Sequence, residues 1–285
     1  MTQRFQTVTL IGVGLLGGSL GLALKERGLA GTVRGVGRRQ SSLDTALEMG
    51  AIDEGMLSLK EGVVGADLVV ICTPANAVTD TLDVIRSLCG KDTVVTDVAS
   101  TKAVICKHAH ERWSAPYSFI GSHPMAGSEK FGPEHARADL YDGAITLVEA
   151  PDNHLPEAHA AVVQLWESVG SKVIRIDPAH HDECVARTSH IPHVVAAALA
   201  QYIQDPEEVQ PFIGNGFRDT TRVAEGRPEL WRDICLTNPD AITQGVRTLI
   251  DELVHVSEAI ENGDADALDD FFENGVQARR TLLDS

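Results

Sequence analysis

Thr7-Val8-Thr9-Leu10-Ile11-Gly12-Val13-Gly14-Leu15-Leu16-Gly17-Gly18-Ser19 is the stretch that decides the fold. A β-branched apolar run gives way to G-x-G-x-x-G, and a helical pattern over residues 15–27 opens directly behind it. In such a turn the first glycine makes the bend and the second lets backbone approach a pyrophosphate. The third lets the helix close onto the strand. The helix start adds free N–H groups and the positive end of its dipole. Gly12, Gly14, Leu15, Leu16 and Gly17 are therefore expected at a dinucleotide, with Thr73 and Pro74 beside them after a later strand.

Working outward, short β-rich runs recur at 7–11, 32–36, 68–72, 93–97, 118–121, 144–148 and 172–176, with helical stretches such as 15–27 and 75–88 between them. Near-continuous apolar strands alternating with helices predict an α/β fold: a Rossmann-type domain with a mostly parallel sheet covered on both faces. From Pro178 the strands stop. Residues 241–260 carry Ile242, Val246, Leu249, Ile250, Leu253, Val256 and Ile260 in the stripe of an amphipathic helix. Asn262-Gly263 reads as its stop and Asp264 as the cap of another helix bearing Leu268, Phe271 and Phe272. The run 194–199 (VVAAAL) is apolar all round and predicts a helix buried on most sides. The expected organisation is a dinucleotide domain over 1–177 and an all-α domain over 178–285. The second is short for a core of its own, so packing onto another subunit is expected.

The 285 residues hold 24 Lys and Arg against 41 Asp and Glu, a formal charge of −17. Such a balance excludes a binder of nucleic acid or of anionic membrane, which needs basic surface. The acidity is uneven, with 16 basic and 21 acidic residues up to 177 but 8 and 20 after it. No apolar run approaches the ~20 residues of a membrane span, and the N-terminus lacks a signal pattern. Five widely spaced cysteines without a CxxC fit reduced thiols of a cytoplasmic protein.

The second strand ends in Gly37-Arg38-Arg39-Gln40-Ser41-Ser42. An NAD site ordinarily has a carboxylate there for the ribose hydroxyls. Here Arg38, Arg39 and Ser41 would instead suit a 2′-phosphate, so NADP is the expected cofactor and NAD the lesser possibility. Solvated turn arginines are the plainer alternative.

Four polar segments remain: DVASTK (97–102), GSHPMAGSEKFG (121–132), SHIPH (189–193) and GFRDTTR (216–222). The first two follow strands, where open α/β sheets bind ligands. These four, in this order behind the glycine fingerprint, resemble the prephenate/arogenate (cyclohexadienyl) dehydrogenases of tyrosine biosynthesis. The resemblance implies a homodimer through the helical domain; the chain is expected to depart from larger relatives in having neither a chorismate mutase domain in front nor a regulatory domain behind. It also implies oxidative decarboxylation of prephenate or arogenate, hydride passing to the nicotinamide as the ring carboxylate leaves.

By that resemblance His123 accepts the hydroxyl proton, a task suited to a neutral imidazole. Ser100 hydrogen-bonds the reacting hydroxyl and the cofactor side. Arg222 grips a substrate carboxylate and Asp219 orients it. His181, Ser189, His190 and His193 lie along the substrate pocket, with Glu129 and Trp231 near it. Plainer roles stay open for several. Ser100 is also a helix N-cap candidate, Arg222 an ion-pair partner of Asp219, Glu129 a solvated carboxylate and Trp231 a packed aromatic. No metal is expected, since Pro192 interrupts the helix between His190 and His193 and no further ligand is evident. Two alternatives carry other chemistry. A β-hydroxyacid dehydrogenase ordinarily needs a lysine in its helical domain, and none occurs after Pro178. A non-catalytic NADP sensor would not need His123, Ser100 and Arg222 together.

Overall fold

The computed structural model describes residues 5–113, 118–127, 130–150, 156–203 and 205–283. Six parallel strands form the first sheet: β1 (Phe5–Ile11), β2 (Ala30–Val36), β3 (Glu54–Met56), β4 (Leu68–Ile71), β5 (Val94–Asp97) and β6 (Ser118–Ile120). Their spatial order is β3-β2-β1-β4-β5-β6. The order reverses between β1 and β4, which opens a crevice at their carboxyl ends. Helices α1 (Leu15–Glu26), α2 (Gln40–Glu48), α3 (Leu59–Val63), α4 (Val78–Ile85) and α5 (Ala103–Arg112) make the crossovers.

Side-chain alternation explains why the sheet is covered twice. Leu68 and Val70 of β4 join one apolar cluster, together with Val8 and Leu10 of β1 and Leu20 and Leu24 of α1. Val69 and Ile71 join another on the opposite face, with Leu82 and Ile85 of α4 and Ile105 of α5. All four β4 residues are fully buried, each contributing about 1.5–3 kcal/mol of transfer free energy as an upper estimate.

A second sheet, in the order β7-β8-β9, contains β7 (Ser122–Met125), β8 (Ile145–Glu149) and β9 (Lys172–Ile176), with α6 (Pro156–Ser168) between the last two. β7 runs antiparallel to β8, and β9 parallel to it. Two strands depart from the sequence expectation. β3 is three residues at the sheet edge. β7 occupies SHPM, which reads as a loop because Pro124 cannot donate to a ladder; as an edge strand it needs only one partner. The stretch 75–88 begins as a 3₁₀ turn, Ala75–Ala77, before α4.

Helices follow: α7 (Pro178–Val185), α8 (Ile191–Tyr202), α9 (Pro206–Val209), α10 (Asn215–Thr221) and α11 (Pro228–Thr237). α7 and α8 are joined by a π turn, Ala186–His190. Pro192 therefore does not interrupt the helix; it sits in the first turn of α8, where its missing N–H is tolerated. α8 is also less buried than its apolar sequence predicts, with only Ile191 and Ala196 fully enclosed. By compactness the chain divides into Met1–Asn238 and Pro239–Ser285. The second unit contains α12 (Pro239–Asn262) and α13 (Ala265–Leu283). Asp264 caps α13, its Oδ1 accepting from the Ala267 N–H at 3.1 Å. The predicted stripe is present on α12, yet Leu253 and Ile260 are 60% and 63% exposed.

Candidate active site

The turn after β1 has the shape its glycines predict. Gly12 adopts φ +102°, and a Cβ there would lie 2.6 Å from the Cys72 carbonyl oxygen. A Cβ on Gly17 would lie 2.0 Å from the Gly12 carbonyl oxygen, so α1 and the turn touch backbone to backbone. Gly14 faces open space, with nothing within 4 Å of its would-be Cβ. No side chain caps α1, and beside it the Thr73 hydroxyl is buried without a hydrogen-bond partner among the described residues. An uncapped helix start, an open glycine and an orphaned hydroxyl fit a dinucleotide's phosphates. Arg38 and Arg39 are exposed between β2 and α2 and Ser41 is exposed in the first turn of α2, and neither guanidinium pairs with a carboxylate among the described residues.

Across the crevice, β7 is fastened to the end of β5. The Ser122 N–H donates to Asp97 Oδ1 at 3.1 Å and the Ser122 hydroxyl to the Asp97 carbonyl at 2.6 Å. Trp166 Nε1 of α6 donates to that same hydroxyl oxygen at 3.0 Å. Asp97 is buried and paired with the buried Lys102 ammonium. These bonds tie DVASTK to the strand carrying His123. Both Ser100 and His123 then line one cavity of about 660 Å³, with Met125, Leu140, Ser189, His190, His193 and Trp231.

His123 is 8% exposed. Burial, then the neighbouring His181, Lys102 and His190, hold its pKa well below the ordinary imidazole value, so the ring is neutral at physiological pH. Its Nδ1 lies 2.9 Å from His181 Nε2, and its Nε2 has no protein partner among the described residues. Burial also brings His190 down to about 4. His193 stacks on Trp231 with ring centroids 3.5 Å apart, and its Nδ1 lies 3.0 Å from the Ser189 carbonyl oxygen. Burial lowers the pKa of His193, opposed by that carbonyl and assisted by the positive charge of Arg222.

A neutral buried base and a hydroxyl face one cavity, and a dinucleotide cradle lies at the end of the same sheet. This is equipment for removing a proton and a hydride from an alcohol carbon. Comparison with known proteins agrees. Residues 20–175 match the family model described as prephenate dehydrogenase, nucleotide-binding domain, and residues 177–274 match that family's dimerization domain. A prephenate dehydrogenase of Bacillus subtilis is 32% identical over 99% of this chain and 77% of its own. The A. aeolicus prephenate dehydrogenase, solved with hydroxyphenyl propionate and NAD+, superposes with a TM-score of 0.89 at 28% identity, covering 99% of this chain and 100% of that one. A Synechocystis arogenate dehydrogenase superposes at 0.83 with 31% identity, covering 98% and 100%.

The chain belongs to the prephenate dehydrogenase family. As a member it is an NAD(P)-dependent oxidoreductase, and the sensor and β-hydroxyacid dehydrogenase alternatives fall.

Within that family frame several expected site residues need correction. His181 does not line the cavity; it is 0% exposed, behind His123. Arg222 and Asp219 are also absent from the cavity wall. Arg222 lines a separate hollow of about 300 Å³ with Ile213, Phe217, Arg218, Thr221 and Glu225. No ion pair joins Arg222 to Asp219 among the described residues, because α10 ends at Thr221 and Arg222 opens a 3₁₀ turn. Glu129 lies outside the described residues. Ser100 is not the N-cap of α5: Asp182, from α7, accepts the Lys102 and Ala103 N–H groups at 2.7 and 2.9 Å. Asp182 and Lys102 are the residues that sequence reading passed over. Nothing in the flanking sequence marks Asp182, whose neighbours His180 and Glu183 are exposed.

Proposed function

We propose that this chain oxidatively decarboxylates prephenate or arogenate in tyrosine biosynthesis, with NADP preferred over NAD. The observation that carries the reading is the neutral, buried His123 on the wall of a cavity shared with Ser100. The cofactor, when bound, supplies the hydride acceptor. His123 accepts the 4-hydroxyl proton at Nε2 while Ser100 holds that oxygen in line. Loss of hydride from the same carbon makes the ring electron-deficient, and the ring carboxylate leaves as CO2 with aromatisation. Ser189, His190, His193 and Trp231 enclose the ring and its side chain, excluding water. Arg222 binds a substrate carboxylate from the edge of the site, where its charge reaches His193. The resemblance assigns Asp219 and Glu129 to substrate recognition as well.

NADP preference rests on Arg38, Arg39 and Ser41 standing where a carboxylate would oppose a 2′-phosphate. Gly12, Gly14, Leu15, Leu16, Gly17, Thr73 and Pro74 hold the rest of the cofactor. The domain division 1–177 and 178–285 separates cofactor binding from substrate enclosure and dimerisation. A homodimer would cover the exposed Tyr202, Leu253, Ile260 and Phe272. Free thiols fit a cytoplasmic setting.

The test is the absorbance of reduced nicotinamide on mixing the protein with prephenate or arogenate and with NADP or NAD. Turnover of either substrate, faster with NADP, is expected. Folded protein that binds NADP and reduces none of it with either substrate refutes the proposal.

A further inference from the structure

We propose that His181 and Asp182 are positioning residues that fix which nitrogen of His123 carries a proton and take up the charge when the other nitrogen gains one. The inference rests on the reading of His123 as the base. It starts from Asp182, whose Oδ1 accepts from the Lys102 N–H at 2.7 Å and whose Oδ2 accepts from the Ala103 N–H at 2.9 Å. A backbone N–H can only donate, so the start of α5 fixes both oxygens as acceptors. His181 Nδ1 lies 2.8 Å from Oδ1 and must therefore carry its proton. In the neutral ring this leaves His181 Nε2 as an acceptor. His123 Nδ1, 2.9 Å away, must then donate to it. The remaining nitrogen, His123 Nε2, is left with its lone pair free for a substrate hydroxyl.

With Asp182 ionised and both rings neutral each step follows from the one before, and the series ends on the backbone of a helix. The rings of His123 and His181 meet edge to face at 65° with centroids 5.1 Å apart, so neither turns over without breaking the contact. His181 is wholly enclosed, and Asp182 is 3% exposed. Lys102, which faces His123 from the start of α5, is already paired with Asp97. His190, facing from the π turn, has its Nδ1 3.4 Å from the Asn238 amide. Asp182 is thus the carboxylate placed to meet charge arriving from His123. When Nε2 of His123 takes the hydroxyl proton, the proton on Nδ1 passes to His181 Nε2. His123 stays neutral, and the charge comes to rest in the buried His181–Asp182 pair. As the ring carboxylate leaves and the ring aromatises, the electron pair of the broken bond arrives at the 4-oxygen, which takes the Nε2 proton back as a phenol, and the Nδ1 proton returns to His123 from His181.

The test combines tautomer and kinetics. ¹⁵N NMR of the labelled full-length protein at neutral pH is expected to show His123 protonated at Nδ1, and His181→Leu to show mixed tautomers. His181→Leu should lower kcat about a hundredfold, with KM and NADP binding unchanged. His181→Gln, whose amide can accept from His123 and donate to Asp182, should restore most of the loss. A wild-type His123 protonated at Nε2, or equal losses in the Leu and Gln variants, overturns the proposal. The NMR arm requires no turnover, so it decides the tautomer chain even where the substrate reading fails.

Discussion

Replacing Arg38 and Arg39 together with alanine should erase most of the preference for NADP. Both side chains are exposed, and neither pairs with a carboxylate among the described residues, so the folded protein loses no ion pair. Arg39 occupies the N-cap position of α2 without a side-chain cap bond, so helix stability is spared as well. What is lost is contact with the 2′-phosphate. A hydrogen bond to a charged group contributes about 1.5–3 kcal/mol, and exposure to solvent reduces each arginine to about 1–1.5. The pair then contributes about 2–3 kcal/mol, or about 30- to 150-fold in the ratio of kcat/KM values for the two cofactors. The assay is steady-state kinetics with NADP and NAD at one fixed ionic strength, since exposed charges are screened by salt. kcat/KM for NAD should stay level or rise. An equal fall for both cofactors, or an unchanged ratio, would refute the phosphate assignment.

His123→Asn should lower kcat by about 10²- to 10⁴-fold while substrate affinity persists; unaltered turnover removes His123 from the base role. Arg222→Ala should act mainly on KM, raising it about 10- to 100-fold for loss of a charged hydrogen bond; an unchanged KM takes carboxylate binding away from Arg222. A pH effect on stability is expected from Glu149 and His110, 2.7 Å apart. Burial pushes the Glu149 carboxyl up, but His110 and the Gly121 N–H outweigh it and leave its pKa lowered. The Glu149 hydrogen bond, against burial, raises that of His110. The His110 contribution is full below its unfolded value and disappears as pH rises through its raised folded value. The Glu149 contribution is present above its unfolded value and disappears as pH falls through its lowered folded value. His110→Gln should therefore lower Tm most between those two folded values and least outside them, and a uniform loss across pH contradicts the pairing.

The nucleotide half was legible because its signals are local. A glycine turn, a run such as Leu68–Ile71 and an arginine pair in place of an acid each carry meaning within a few residues. β7 was not legible: His123-Pro124 argues against a strand, and only pairing with β8 makes one. Ser100 reads as a cap from its neighbours, whereas the residue that caps α5 lies 80 positions beyond Lys102. Nothing local marks that relation. The same limit applies to His181, which the resemblance sets along one pocket with Ser189 and His193. The π turn between α7 and α8 sends His181 behind His123 and the other two to the cavity. Pro192 was the local trace of that turn, read as a break.

The cap on α5 also bears on how the protein comes into being. α5 and the Ser100 loop emerge from the ribosome well before Asp182, which follows 80 residues behind Lys102. Until it arrives, the first N–H groups of α5 have only water to bond. The sheet, whose apolar clusters are largely complete by then, can form early, while the cavity wall must wait for α7. Synthesis thus delivers the strands of the sheet before the carboxylate that completes the reaction centre, and a chain stopped before Asp182 would lack the cap on α5.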